Sequence, residues 1–279
     1  MDWVSTPGTE VSPRVRAAAV AFGATGAPVP LPGGMGGTWR AGDLVLKPAG
    51  RADLAIGLAE LAEQIPPTKR VRIQKPLRSI AGAWTEHGYC AFQYLAGTEA
   101  PGRYAEKLDA CDAFSEACAQ LARPAFFDER NDPWARADRA AWGESEETLA
   151  RVFGQWIDPL RDHLRRLALP SQIIHADITG NLIFADPLPV GVIDITPYWR
   201  PAAFAKAVLA IDAIAWHGAP VEDFQRLFAD PSMPQLLLRA SLRRMLEQPG
   251  QVRDFDKPLE DALSVVRRQS ETLRILGLV

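Results

Sequence analysis

The chain has 279 residues, 47% of them hydrophobic, with 31 basic and 34 acidic side chains and a formal net charge of -3. This composition excludes intrinsic disorder, suffices for a full core without disulfide or metal staples, and carries no basic excess for gripping a nucleic-acid backbone. The N-terminus lacks a basic and apolar leader pattern, and no stretch approaches the ~18 apolar residues of a membrane span, so a cytoplasmic protein without nucleic-acid or membrane partners is expected. Oligomeric state has no signature here.

In chain order, Ser12-Pro13 reads as a helix start, Ser12 capping and Pro13 at the first helical position of a helix through Phe22. From Pro28 the pattern becomes strand-like: Val29-Pro30-Leu31, a glycine-rich turn at Gly33-Gly34-Met35-Gly36-Gly37, then Thr38-Trp39-Arg40 and Leu44-Val45-Leu46-Lys47. A helical stripe of Leu54, Leu58, Leu61 and Ile65 spans 52–65 and stops at Pro66-Pro67. Two further strands are expected, over 82–85 and 89–94. Beyond Gly97 the reading is helical. Helices are expected over 104–121 and from Ser145, as N-cap, to Leu167, with Pro159 as a kink, and from Ala202 to the end. Cys111 and Cys118 share one face of the first of these helices and read as buried small hydrophobes, Cys90 lies in a strand, and the three cysteines fit no metal spacing. One break, 171–195, reads as short strands: Ile173-Ile174 with its loop into Leu182-Ile183-Phe184, and Val190 to Ile193. The fold class is therefore α+β, a β-rich front third and a helical remainder with a strand pair inserted at two-thirds of the length.

That insertion carries the chemistry. Ile173-Ile174-His175-Ala176-Asp177-Ile178-Thr179-Gly180-Asn181-Leu182-Ile183-Phe184 sets His, Asp and Asn between apolar runs, and Val192-Ile193-Asp194 ends a second apolar strand in a carboxylate. Phosphoryl transfer needs this set of groups. One carboxylate orients the attacking hydroxyl and accepts its proton, while an Asn and a second carboxylate hold the magnesium ions that neutralise the phosphates.

The string resembles the catalytic loop of the aminoglycoside-phosphotransferase and choline-kinase family, itself similar to that of protein kinases. The resemblance implies a bilobal protein-kinase-like fold, with an N-lobe over 1–95 and a helical C-lobe over 96–279, and ATP and Mg2+ as cofactors. It implies Asp177 as catalytic base, Asn181 and Asp194 as metal ligands, and His175 as a structural residue beneath the loop, bonding backbone near Asp194. Gly34, Gly36 and Gly37 would cover the nucleotide, in a loop that is not a Walker A motif. Lys47 would contact the α- and β-phosphates, paired with a helix carboxylate. Glu60, beside Leu58 and Leu61, is preferred for that partner, with Glu63 as the fallback. Gln93, Tyr94 and Leu95 would bond adenine through their main chain, and Asp212, within an apolar helix, would anchor the catalytic-loop backbone. Tyr198, Trp199 and Arg200 either line an acceptor pocket or pack the loop.

The chain departs from the family pattern in one place: Asn181 follows Asp177 by four residues where five is usual, a deletion that Gly180 in a left-handed conformation would absorb. The same short D-x-T-G-N loop resembles that of an actinobacterial subgroup, which brings no acceptor with it. The function implied is ATP-dependent O-phosphorylation of a small hydroxylated acceptor such as a sugar, amino sugar or aminoglycoside. A catalytically weak or inactive nucleotide- or metabolite-binding regulator is the alternative, motivated by the short loop. Acidic residues in the helical part are offset by Arg239, Arg243, Arg244, Arg267 and Arg268, so the strongly acidic pocket suited to a polycationic drug is not foreseen.

Overall fold

A computed structural model describes residues 11–32, 37–147 and 149–279. Contacts divide the chain into two compact units, Met1–Thr98 with Ile183–Asp194, and Glu99–Leu182 with Ile195–Val279. The boundary expected after residue 95 thus falls after Thr98, and the segment leading to Asp194 returns to the first unit.

In the first unit, helix α1 (Pro13–Ala21) starts as expected, the Ser12 hydroxyl accepting from the Val15 amide at 3.3 Å. Strands β1 (Val29–Pro30), β2 (Trp39–Ala41) and β3 (Leu44–Pro48) follow, then α2 (Ala52–Gln64). The remaining front strands are β4 (Val71–Ile73), β5 (Pro76–Leu77), β6 (Thr85–Glu86) and β7 (Tyr89–Gln93). The main sheet runs β1-β2-β3-β7-β5 with β6 on β7, and Lys47 stands opposite Cys90. Val15, Ala18, Ala19 and Phe22 of α1 pack with Trp39, Ala41, Leu46 and Ala91 as its core. Strands β4 and β5 were not foreseen. Two- and three-residue strands hold too little alternation to stand out, and Val71-Arg72 reads as part of a basic cluster.

The second unit opens with α3 (Tyr104–Cys118), α4 (Phe126–Glu129), α5 (Pro133–Ala141) and α6 (Arg151–Arg161), followed by strand β8 (Gln172–His175). Ser145 does not cap α6, whose N-cap is Ala150. Ion pairs draw the preceding stretch away from helix, Glu144 to Arg200 at 2.5 Å and Glu147 to Arg136 at 3.4 Å. Pro159 lies inside α6, which stops two residues later. Helix α5, also unforeseen, has an N-cap Asp132 accepting from Ala135 at 2.9 Å and Pro133 at its first position.

Strands β9 (Leu182–Ala185) and β10 (Leu188–Val192) then form a three-stranded sheet, β4-β10-β9, in which β4 and β10 are parallel. Gly191 is required there, since a Cβ would stand 2.6 Å from Ile183 Cγ1. Strand β11 (Pro197–Arg200) pairs antiparallel with β8, Pro197 opposite His175 and Arg200 opposite Gln172. Helices α7 (Ala202–His217), α8 (Met233–Phe255) and α9 (Leu259–Ile275), with a 3₁₀ segment Val221–Ala229, complete the chain. Cys90, Cys111 and Cys118 are buried, and none forms a disulfide among the described residues. Among the described residues no helix is long and apolar enough to cross a membrane.

Candidate active site

In the first unit, β3 delivers Lys47 to Asp194, which follows β10. The Lys47 ammonium lies 3.0 Å from Asp194 Oδ1, with the lysine side chain 17% exposed and the aspartate 57%. Asp194 is not glycine yet has a φ of +51°. Such strain persists where the surroundings impose it, commonly at functional sites. The partner imposed on Lys47 is therefore not Glu60. The buried positions of α2 are Ala55, Ala59, Leu61 and Ala62, and Glu60 is exposed. Neighbours in sequence are turned about 100° apart on a helix, so lying beside Leu61 does not bring Glu60 inward. The fallback Glu63 pairs instead with Arg78 at 3.3 Å.

A residue that the sequence did not single out completes this cluster. Gln74, 4% exposed, sits in the turn between β4 and β5. Its Oε1 accepts from Lys47 Nζ at 3.5 Å and from the Asp194 amide at 3.3 Å, while its Nε2 donates to the Gln93 carbonyl at 3.0 Å. One buried amide thus joins the lysine, the metal-ligand candidate and the predicted hinge. A glutamine between a basic cluster and a proline has no motif, so only the strand pairing of β4 with β10 reveals it. Leucine at position 74 would leave the Asp194 amide and the Gln93 carbonyl without these bonds. The expected result is a fall in melting temperature equivalent to about 1–3 kcal/mol, together with a weaker nucleotide shift, both read by thermal unfolding.

The hinge expectation is narrowed by the main chain itself. The Gln93 amide donates to the Lys75 carbonyl and the Tyr94 amide to the Asp43 carbonyl, both at 2.8 Å. Leu95 makes no main-chain hydrogen bond among the described residues. Of the nucleotide-covering glycines, Gly34 and Gly36 lie outside the described residues. Gly37 has a φ of +80°, open to glycine at little cost.

In the second unit, His175 ends β8 fully buried, its ring edge-on to Phe114. Its Nδ1 accepts from the Asp177 amide at 3.2 Å, which ties the ring to the backbone of the loop itself. The short loop closes on itself. Asn181 donates through its backbone to Ile178 at 3.0 Å and through Nδ2 to the Asp177 carbonyl at 2.6 Å. Gly180 is not among the described glycines with positive φ, so the deletion is absorbed by these bonds and not by a left-handed glycine.

The Asp177 carboxylate is set by α7 and α8. Arg244 Nη2 contacts Asp177 Oδ1 and Asp212 Oδ2, both at 2.6 Å, and Arg244 Nε donates to Asp212 Oδ1 at 3.0 Å. Asp212, 4% exposed, also accepts from the Thr179 hydroxyl at 3.2 Å. It holds the loop through that hydroxyl and through Arg244, where a bond to loop backbone was expected. Glu247 completes the cluster, 3.4 Å from Arg244 and 3.6 Å from Arg243. Arg243 Nη2 in turn donates to the Ala176 carbonyl at 2.6 Å. Burial opposes ionisation of Asp177, but the Arg244 guanidinium, with Arg243 behind it, holds the carboxyl below its usual range. Glu247, wholly buried, is pushed the other way by desolvation. In sequence the two arginines read only as an offset to the acidic residues of the helical part. Their signal was position, in α8 between Leu242 and Met245, both of which are buried.

Strand β11 carries the remaining candidates. Tyr198 is buried between Arg130 and Arg243, whose guanidiniums lie 4.8 and 5.1 Å from its ring centre, and burial pushes its hydroxyl up to about 12. Arg200 bonds Asp138 at 2.6 Å and Glu144 at 2.5 Å and stacks on Trp142. Both therefore pack the root of the loop, and both also contribute to the wall of a cleft of about 180 Å³ in this unit. Trp199, partly exposed, lies on the same wall.

No protein-family model matches the sequence, and no curated protein matches it. Solved structures do match the fold. A choline/ethanolamine kinase family protein from Mesorhizobium loti is 19% identical, with a TM-score of 0.60 over 95% of this chain and 92% of that one. The spectinomycin phosphotransferase APH(9)-Ia, solved with ADP and spectinomycin, is 13% identical, with a TM-score of 0.55 over 91% and 96%. The aminoglycoside phosphotransferase APH(4)-Ia is 15% identical, with a TM-score of 0.58 over 92% and 96%. The chain is an α+β protein with the protein-kinase-like fold of these phosphotransferases.

Proposed function

We propose that this protein is an ATP-dependent O-phosphotransferase acting on a hydroxyl of a small metabolite. The observation that carries the reading is the Lys47–Asp194 pair at 3.0 Å, a strand lysine set against the carboxylate that ends β10. The resemblance assigns Lys47 to the phosphates and Asp194 to magnesium. Asp177, with Oδ1 held by Arg244, would use its other oxygen to receive the acceptor hydroxyl. The hydroxyl oxygen bonds the γ-phosphorus, the bond from that phosphorus to the β,γ-bridging oxygen breaks, ADP leaves, and the hydroxyl proton passes to Asp177. Adenine would bond the hinge main chain, Leu95 being the residue whose groups are not otherwise engaged there.

The side chains present suit magnesium. Asp194 and Asn181, the ligands that the resemblance assigns, would each offer a hard oxygen donor. Among the described residues no three His, Cys, Asp or Glu side chains cluster as a closed cage. Mg2+ is characteristically held by one or two carboxylates plus substrate phosphates rather than by such a cage. When bound, the ion neutralises phosphate charge.

A magnesium–AMP-PNP melting titration tests the nucleotide site. At about 100 times its dissociation constant a ligand adds ~2.7 kcal/mol, and the shift is expected for wild type and not for Asp194→Ala. Absence of any shift in wild type would remove the kinase reading. The alternative, a kinase-fold binding protein without turnover, draws on the engagement of Asp177 by Arg244. It predicts the same shift without acceptor-dependent ADP formation.

A further inference from the structure

The cleft beside β11 holds seven charged side chains. Six of them are already matched by opposite charge. Arg123 pairs with Asp128 at 2.6 Å, Arg130 pairs with Asp132 at 3.1 Å, and Arg200 binds both Asp138 and Glu144. The seventh is Arg139, in the last turn of α5. Its Nη1 donates to the Arg130 carbonyl at 2.9 Å, and no carboxylate among the described residues lies within ion-pair distance of it. A guanidinium presents five N–H donors in a planar fork that matches carboxylate or phosphate. The unfilled valence of this cleft is therefore cationic.

Its position ties it to the transfer loop. Pro197, on the cleft wall, stands opposite His175 across the β8–β11 pair, and Asp177 follows two residues after His175. Tyr198, also on the wall, stacks on Arg243, which bonds the Ala176 carbonyl. Trp199 and Phe127 add apolar surface to the same space.

We infer that this cleft selects a small hydroxylated acceptor bearing an anionic group, a carboxylate or phosphate, received by Arg139. This deepens the proposed phosphotransferase reading and rests on it. It runs against the polycationic antibiotics for which aminoglycoside phosphotransferases are named. An acceptor of that kind needs carboxylates left free, and here each acid of the cleft already has an arginine.

The test is a binding comparison that needs no turnover. Glycerate, glycerol 3-phosphate and gluconate are titrated by calorimetry beside the neutral glycerol and glucitol, on wild type, Arg139→Gln and Asp128→Asn. At least one anion is expected to bind wild type at least about tenfold tighter than its neutral counterpart. Arg139→Gln should abolish that preference, and Asp128→Asn, which removes a neighbouring negative charge, should strengthen it. These opposite signs cannot both come from damaged folding. Equal binding of anion and neutral counterpart, or a preference that survives in Arg139→Gln, overturns the inference. Magnesium–AMP-PNP binding on the same samples reads the kinase proposal separately. A bound anion that wild type, competent for nucleotide, does not phosphorylate with MgATP also overturns the acceptor assignment.

Discussion

Replacing Asp177 with alanine is expected to lower kcat by about 10²–10⁴-fold, the usual contribution of a positioned general base, with nucleotide binding unchanged. Folding should be spared, because the Asp177 side chain is 45% exposed and Arg244 keeps Asp212 and Glu247 as partners without it. The His175 bond to the loop is made to the backbone amide of residue 177 and survives the substitution. Asp177→Asn is the sharper form of the experiment. It preserves shape and still offers an oxygen to Arg244, but it cannot take a proton, so a similar loss is expected. Initial rates with MgATP and an acceptor, beside an AMP-PNP melting shift, decide it. Near-normal turnover in either variant would end the assignment of Asp177.

The sequence singled out those candidates of this site whose chemistry is local. Asp177, Asn181 and Asp194 stand beside strands whose apolar runs are plain, and Lys47 ends a strand framed by Gly42 and Pro48. The first helix was legible because capping acts within four residues. What the sequence hid depends on distant packing. Arg244 reaches Asp177 across 67 residues, and Gln74 reaches the Asp194 amide across 120. Glu60 shows the opposite error, a residue assigned by its neighbours in sequence when helical rotation carries it to solvent. Strands β4 and β11 were missed because so few residues carry too little period to be told from connections. The Tyr198–Arg200 alternative stayed open for a related reason. An aromatic–arginine segment supports packing and binding alike until its ion-pair partners, Asp138 and Glu144, are known.

Arg244→Ala is the second large effect, and it should appear in stability before activity. Arg244 is the shared cation of Asp177, Asp212 and Glu247, and the side chains of the last two are only 5% and 4% exposed. Removing one partner of a buried ionic cluster costs about 3–5 kcal/mol, because the remaining charges stay out of water without compensation. Arg243, 3.6 Å from Glu247 and engaged with the Ala176 carbonyl, offsets only part of that loss. The pH dependence gives this account its own signature. Glu247 already has its carboxyl raised above the ordinary 4.5 by burial, against the pull of Arg244. Without Arg244 the folded state holds that proton more tightly still, and so binds more protons than the unfolded chain at pH values above about 4.5. Stability of the variant must then fall as pH rises through that window and recover on acidification. Denaturant unfolding of wild type and Arg244→Ala at pH 5 and pH 8 measures it, with the gap between the two proteins expected to be wider at pH 8. A gap independent of pH would mean that lost packing rather than stranded carboxylates accounts for the cost. A gap below about 1 kcal/mol would remove Arg244 as the cation that holds this loop.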